Sequence, residues 1–336
     1  MEESNKWMVC VQCMTYNQAP YIEDALNGFT MQETTFPFVC CVVDDASTDG
    51  EPEVIDNYMK EHFDLDDAST VCREKTDDYN ILFARNKTNI NCYFAVLFLK
   101  YNHYKNQEIK LRKLSYISKW IDNAKYLAIC EGDDYWISPN KLQKQFLFMQ
   151  NHPEISLCFH AAKIEKSIEQ EPFISCENIE SREYSSIELF NKWIAPTNSF
   201  FFRTQIQNYI TCGNSRILNG DIICILKCAE LGKIYGFSDV MSVYRMQANG
   251  VTYDEERKKN RIQRYPAHWE FIRDNFHTIP KKDINKKIVN SYYQRFCYDK
   301  FLSKQWISDF GKVFLKHPLY FGLYAKRILG KARHLL

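Results

Sequence analysis

Apolar positions along the chain fall into two kinds of run. MVCVQCM (8–14), FPFVCCVV (36–43), NILFA (80–84) and YLAIC (126–130) are short and almost uninterrupted. Such runs suit strands covered on both faces. Between the first two, Tyr21, Ala25, Leu26 and Phe29 recur at helical spacing, with Asn17 placed to cap and Pro20 suited to a first turn. A second helix is expected from Glu51 to Phe63, a third from near Asn91, and a fourth from Pro139 with Ser138 as its cap. Strands alternating with amphipathic helices predict βαβ units and a mostly parallel sheet flanked by helices.

The second half mixes its patterns. ISLCFHAAKI (155–164) and SFFFRT (199–204) read as strands, and GDIICILKCAELG (220–232) as a helix with Gly232 beyond its end. Residues 100–125, rich in Lys, Tyr and Asn, read as a helical insertion, and the chain is helical from about 253.

Parallel sheets bind ligands outside the carboxyl ends of their strands. Thr15, Tyr16, Asp44, Asp45, Arg85 and the run Glu131, Gly132, Asp133, Asp134 all follow apolar runs, so they are expected to converge there. An isolated Asp-Asp pair would read as a helix cap. Three carboxylates crowded after a buried strand repel one another unless a cation joins them. Oxygen ligands of this kind suit Mg²⁺ or Mn²⁺, which in turn bind phosphate oxygens. Glycine is scarce, at 11 residues, and TYNQAP occupies the turn after the first strand, where a phosphate-cradling loop would need glycines. Tyr16 beside Asn17 offers an aromatic face to a base, and Asp44 or Asp45 can accept from an imide N–H.

Composition narrows the classes further. The 336 residues carry 43 basic and 42 acidic side chains, so no overall field draws the chain to nucleic acid. MEESNKW has no apolar core of a signal peptide, no apolar run reaches membrane-spanning length, and most of the thirteen cysteines sit inside apolar runs. A cytoplasmic protein with reduced thiols is expected. Cys10 and Cys13 lie three apart on a strand and point to opposite faces, so they make no metal pair.

Five segments together resemble the family-2 glycosyltransferases of GT-A fold. These are VCVQCMTYNQAPYIEDAL, CVVDDASTDG, ARNKTNIN, EGDDYWISPNKLQKQ and NGDIICILKCAELGKIYGFSDVMSVYR, in order across residues 7–252. The fourth resembles the metal motif of one bacterial subgroup. The resemblance implies a GT-A domain over 1–252, with a nucleotide half to about 135, and a helical region over 253–336. It implies inverting transfer of a sugar from a nucleotide diphosphate, a UDP- or dTDP-sugar, to an acceptor hydroxyl in cell-surface polysaccharide or glycolipid synthesis. By position, Thr15, Tyr16, Asn17, Asp44, Asp45 and Arg85 would bind the nucleotide. Asp133, helped by Glu131 or Asp134, would hold Mg²⁺ or Mn²⁺ on the diphosphate. Asp221 would be the general base; alone it reads as a helix cap. The subgroup's YRxH pattern ends here in Gln247, which can offer an oxygen but no imidazole, and Asn91 stands at the conventional glycine of the RNxxNxG segment. A non-catalytic nucleotide-sugar binder with a decayed site is the alternative.

Trp136, Trp193 and APTNSFFFR (195–203) are candidates for acceptor contact. The tail from 301 carries Lys304, Lys312, Lys316, Lys326, Arg327, Lys331 and Arg333 among apolar residues, against one Asp. Peripheral contact of 305–336 with an anionic membrane, at its inner face, is the expectation for it.

Overall fold

The computed structural model describes residues 7–104, 109, 112–166, 175–206, 214–247, 255–299 and 303–314. The chain divides into two units, Met1–Gly213 with Asp221–Gln247, and Asn214–Gly220 with Ala248–Leu336. The expected boundary at 252 and most of the basic tail lie outside the described residues.

The first unit is an α/β structure built on one sheet. Its strands are β1 (Trp7–Thr15), β2 (Phe38–Asp44), β3 (Phe63–Asp64), β4 (Cys72–Lys75), β5 (Tyr79–Asn86), β6 (Cys92–Leu99), β7 (Ala124–Ile129), β8 (Tyr135–Trp136), β9 (Ile155–Lys166), β10 (Arg182–Tyr184), β11 (Phe201–Arg203) and β12 (Lys233–Met246). They order as β10-β12-β9-β11-β7-β1-β2-β6-β5-β3, with β4 beside β5 and β8 beside β12. The centre, β7-β1-β2-β6, is parallel, as is β9-β12. The flanks and the joining strand β11 are antiparallel.

Helices α1 (Ile22–Thr30), α2 (Glu51–His62), α3 (Arg112–Tyr116), α4 (Ser118–Ile121), α5 (Lys141–Asn151), α6 (Ser186–Asn191) and α7 (Gly220–Leu231) accompany the sheet. The uninterrupted strands are apolar because both faces are covered. Val9, Val11 and Cys13 of β1 join a core with Leu26, Phe29, Ile55 and Met59. Cys10, between them, joins the opposite core with Trp120, Cys224 and Cys228.

Two expectations are corrected here. Residues 92–99, CYFAVLFL, form β6 rather than a helix begun near Asn91. The run has no polar stripe at helical period, and β6 lies inside the sheet between β2 and β5. β5 and β6 are therefore consecutive antiparallel strands, and Arg85 pairs with Tyr93, which itself pairs with Val39 near the amino end of β2. Arg85 thus lies at the sheet end opposite Asp44. It meets Asp67 at 3.6 Å instead.

The second unit holds α8 (Glu255–Asn275), α9 (Lys281–Tyr298) and α10 (Lys304–Phe314). Phe271, Ile272, Ile284, Ile288 and Phe296 are buried in it. Arg295 grips the buried Asp309 with two bonds of 2.7 Å, a bidentate pair. Among the described residues no helix is long and apolar enough to cross a membrane.

Candidate active site

The parallel register sets Thr15 beside Asp44, and Asp45 N–H donates to Thr15 C=O at 3.0 Å. The loops that follow β1 and β2 are stitched together by side chains. Asn17, at φ 55°, accepts from Thr48 N–H at 2.8 Å, and its own N–H donates to Ser47 Oγ at 2.8 Å. An asparagine tolerates that left-handed conformation, which explains why Asn17 is a loop clasp and not the cap of α1. Glu51, at the start of α2, is fully buried, a position the sequence reading missed. Its carboxylate accepts from Thr15 Oγ1, from Gln18 N–H at 2.9 Å and from Ser47 Oγ at 2.8 Å. It anchors the TYN turn to the DDAST turn.

Asp44 and Asp45 differ sharply. Asp45 accepts from His103 N–H at 2.6 Å, Tyr104 N–H at 3.0 Å and Lys113 Nζ at 3.3 Å. It holds the 100–125 insertion against the rim of the sheet. Asp44 is equally buried, but among the described residues its carboxylate accepts only from Ser47, whose N–H lies 3.3 and 3.4 Å away. Burial pushes its carboxyl up to about 6, against the opposing bonds from Ser47. Tyr16, half-buried, follows Thr15 on the same rim.

The third loop follows β7. Cys130 N–H and Gly132 N–H donate to Gln12 and Met14 C=O at 3.1 and 3.2 Å, so the EGDD segment runs on beside β1. A Cβ on Gly132 would overlap Thr15 Oγ1 and sit 2.6 Å from Gln18 Oε1. Only glycine permits this approach. Asp133 and Asp134 then diverge. Asp134 is buried, and its Oδ1 accepts from Arg245 N–H at 2.8 Å. Asp133 Oδ2 accepts from the Gln247 amide at 3.3 Å. Burial, then the neighbouring carboxylates, raise Asp134 well above the usual range. Glu131 is pushed up to about 7 by burial first and by Asp133 next, and Asp221 adds to it. Asp221, at the start of α7, is therefore within electrostatic reach of this loop. Its Oδ1 accepts from Ile222 N–H at 2.7 Å, and burial pushes its carboxyl up to about 7.

The rim thus gathers Thr15, Tyr16, Asn17, Asp44, Asp45, Glu131, Asp133, Asp134, Asp221 and Gln247, while Arg85 is left at the far end. Glu131, Asp133, Asp134 and Gln247 do not form a closed ligand set. Among the described residues no group of three or more His, Cys, Asp or Glu is arranged to hold a metal ion. The donor chemistry does fit an ion held by one carboxylate and completed by phosphate oxygens and water, the usual arrangement for Mg²⁺. Trp136 is not an acceptor platform: it is 1% exposed, stands edge-on to Phe29 and donates from Nε1 to Asn198 C=O at 2.8 Å. Phe200, Phe201 and Phe202 are core residues too, and Trp193 is half-buried.

Residues 10–87 match the model of the family described as glycosyl transferase family 2. That span runs from β1 through the turns after β1 and β2 to the end of β5. Two curated relatives, the uncharacterized protein Rv1520 of Mycobacterium tuberculosis and its Mycobacterium bovis counterpart, are each 30% identical over 250 residues. The match takes in 73% of this chain and 61% of each relative. Among solved structures, Staphylococcus aureus TarS 1–349 superposes with a TM-score of 0.55 at 16% identity, covering 91% of this chain and 79% of that one. The mannosyltransferase PcManGT of Pyrobaculum calidifontis, solved with GDP-Man and Mn²⁺, gives 0.52 at 14% identity, covering 98% and 80%. At such identities the likeness is one of fold. Together the comparisons show a GT-A-like fold, with the family match confined to residues 10–87.

Proposed function

We propose that the chain is a metal-dependent, inverting glycosyltransferase that takes a sugar from a UDP- or dTDP-sugar to an acceptor hydroxyl, in cell-surface polysaccharide or glycolipid synthesis. One observation supports the reading: Asp44 and Asp133 follow neighbouring strand ends, Asp221 lies within electrostatic reach of Glu131 in the same loop as Asp133, and burial raises each of the three carboxyls. Carboxyls so perturbed belong where a ligand or a reaction completes them. Structural neighbours solved with UDP, and with GDP-Man and Mn²⁺, support the donor class.

Asp44 accepts the imide N–H of the base, with Tyr16 stacked on its ring and Thr15 and Asn17 holding the turn. Asp133 is the residue that would hold Mg²⁺ or Mn²⁺. When bound, the ion neutralises charge developing on the departing diphosphate. Asp221 takes the proton of the acceptor hydroxyl as that oxygen bonds to C1 and the bond from C1 to the phosphate oxygen breaks. A single displacement inverts C1. On the second unit, α10 presents Ile307 and Phe310 outward with Lys304 and Lys312 on the same helix, which supports peripheral contact with an anionic membrane.

A thermal-shift series with UDP, dTDP and GDP, with and without Mn²⁺, tests the donor site, since a ligand of the folded state raises its midpoint. Mn²⁺-dependent stabilisation by UDP or dTDP that Asp133→Ala abolishes is the expected result. Equal shifts in wild type and Asp133→Ala would overturn the metal assignment. Flotation with anionic liposomes, comparing the full chain with one ending at 304, tests the membrane contact.

A further inference from the structure

Arg245, near the end of β12, lies beside the acids without being one of them. Its side chain is only 9% exposed. One terminal nitrogen, NH1, donates to Asp133 C=O at 3.3 Å. The other, NH2, pairs with Asp24 in the first turn of α1. Nε reaches Glu165 on β9 at 3.5 Å. Tyr135 and Tyr21 lie against the guanidinium, with ring centroids 4.3 and 5.2 Å away. The main-chain N–H of Arg245 meanwhile holds Asp134 Oδ1 at 2.8 Å. Two residues on, Gln247 reaches the Asp133 carboxylate.

One residue therefore fixes both halves of the Asp-Asp pair, by different groups and in different ways. The main chain at Asp133 is gripped by the guanidinium. The carboxylate of Asp134 is drawn onto the backbone of β12. We infer that Arg245 is the positioning residue of the EGDD loop: it draws Asp134 onto β12 and leaves Asp133 as the carboxylate that faces the donor's diphosphate. The inference rests on the function proposed above and adds how its metal-facing residue is selected. A direct contact between Arg245 and phosphate is the competing role. The geometry disfavours it, because carboxylates and a carbonyl meet the guanidinium along its edge and two rings lie against it.

An arginine that meets three partners along its edge and stacks against two rings is not replaceable by lysine. A single ammonium can reach Asp24 or the Asp133 carbonyl but cannot hold both in the fork geometry. Isothermal titration of UDP into the full-length chain, over a Mn²⁺ series and in EDTA, separates the roles. The variants are Arg245→Ala, Arg245→Lys and Asp24→Asn. The Mn²⁺ concentration giving half-maximal UDP affinity should rise about tenfold or more in Arg245→Ala and by less in Arg245→Lys and Asp24→Asn. UDP affinity in EDTA should change less than about twofold in all three. Loss of UDP affinity in EDTA would make Arg245 a phosphate ligand and overturn the inference. Unchanged Mn²⁺ midpoints would also overturn it. If Arg245→Ala does not fold, the Asp24→Asn midpoint decides the matter alone. A wild type whose UDP affinity ignores Mn²⁺ would instead defeat the metal assignment itself, a failure visible before any variant is made.

Discussion

The Asp45 carboxylate closes on the main-chain N–H of His103 at 2.6 Å, and Tyr104 N–H and Lys113 join it. Asp44, one residue earlier, meets only Ser47 among the described residues. Adjacent aspartates thus differ: one organises the protein, and the other is the residue proposed to meet the base. Asp45→Asn should cost about 2–4 kcal/mol, because it removes charge from a buried, multiply bonded group and turns an N–H donor toward other donors. Asp44→Asn should behave oppositely. Its carboxyl, raised to about 6 in the fold, opposes folding when ionised at pH 7, so the neutral amide should hold or raise stability by about 1–3 kcal/mol. UDP affinity should nevertheless fall tenfold or more, since an amide N–H then faces the imide donor. Urea unfolding and UDP titration of both variants check the division, and matching effects on the two would refute it.

Gly132 is where the EGDD loop approaches the TYN turn most tightly. Alanine there would force its Cβ onto Thr15 Oγ1 and within 2.6 Å of Gln18 Oε1. Thr15 Oγ1 is bonded to Glu51 and lies 2.8 Å from Gln18 Oε1, so displacing it disturbs both contacts. Overpacking of this kind costs about 1–3 kcal/mol. The displaced loop carries Asp133, so donor turnover should fall more than stability. A Gly132→Ala variant with wild-type kinetics and only a lowered midpoint would show that the contact is packing alone.

The strands β1, β2 and β7 were legible because strands covered on both faces leave uninterrupted apolar runs. At 92–99 an expected alternation of strand and helix outweighed an apolar run that fits a strand. That error moved Arg85 to the wrong end of the sheet, since an antiparallel β5 turns its last residues away from Asp44. The acids that follow the apolar strands were legible as a group but not one by one. What separates Asp44 from Asp45, or Asp133 from Asp134, is which N–H groups the folded chain brings near. Glu51 left a fainter trace, a carboxylate opening a helix just after Gly50 at φ 94°, a pattern that equally fits an ordinary exposed first turn. Arg245 could be read only as part of a motif, because its partners come from α1, β9 and the EGDD loop.

Asp221 yields a prediction about pH. Burial holds its carboxyl near 7, whereas an unfolded aspartate titrates near 4. A base must be ionised to accept the acceptor's proton, so the rate should climb as pH rises toward about 7 and level above it. The sign for stability is the reverse. A raised folded pKa favours the protonated fold, so this group's contribution declines as pH rises from about 4 to 7. Asp221→Asn should lower turnover by about 10²–10⁴ and remove that limb of the profile. Initial rates of UDP release in the presence of acceptor, from pH 5.5 to 9, give the comparison; a limb that survives in the variant assigns it to another group.

Lys141 makes the last prediction, and it concerns the core behind the site. The residue is fully buried, with Nζ donating to Gln145 Oε1 at 2.8 Å and lying 3.9 Å from the centre of the Trp136 ring. Its other titratable neighbours are Cys130 and Cys158, both buried thiols, and His160, which burial and then Lys141 keep neutral. Burial pulls the ammonium down to about 7 from the usual 10.5. The fold therefore disfavours the charged form. Stability should rise with pH between about 7 and 9.5, by about 1.4 kcal/mol per unit if this group acts alone. Lys141→Met removes the cost of deprotonating the amine on burial but leaves Gln145 Oε1 without its donor, so the net gain at pH 7.5 should be about 1–3 kcal/mol. It should also flatten the pH slope. Urea unfolding of both proteins across that range decides it: a slope unchanged by the substitution would mean that the folded amine keeps its proton throughout, or that another group titrates.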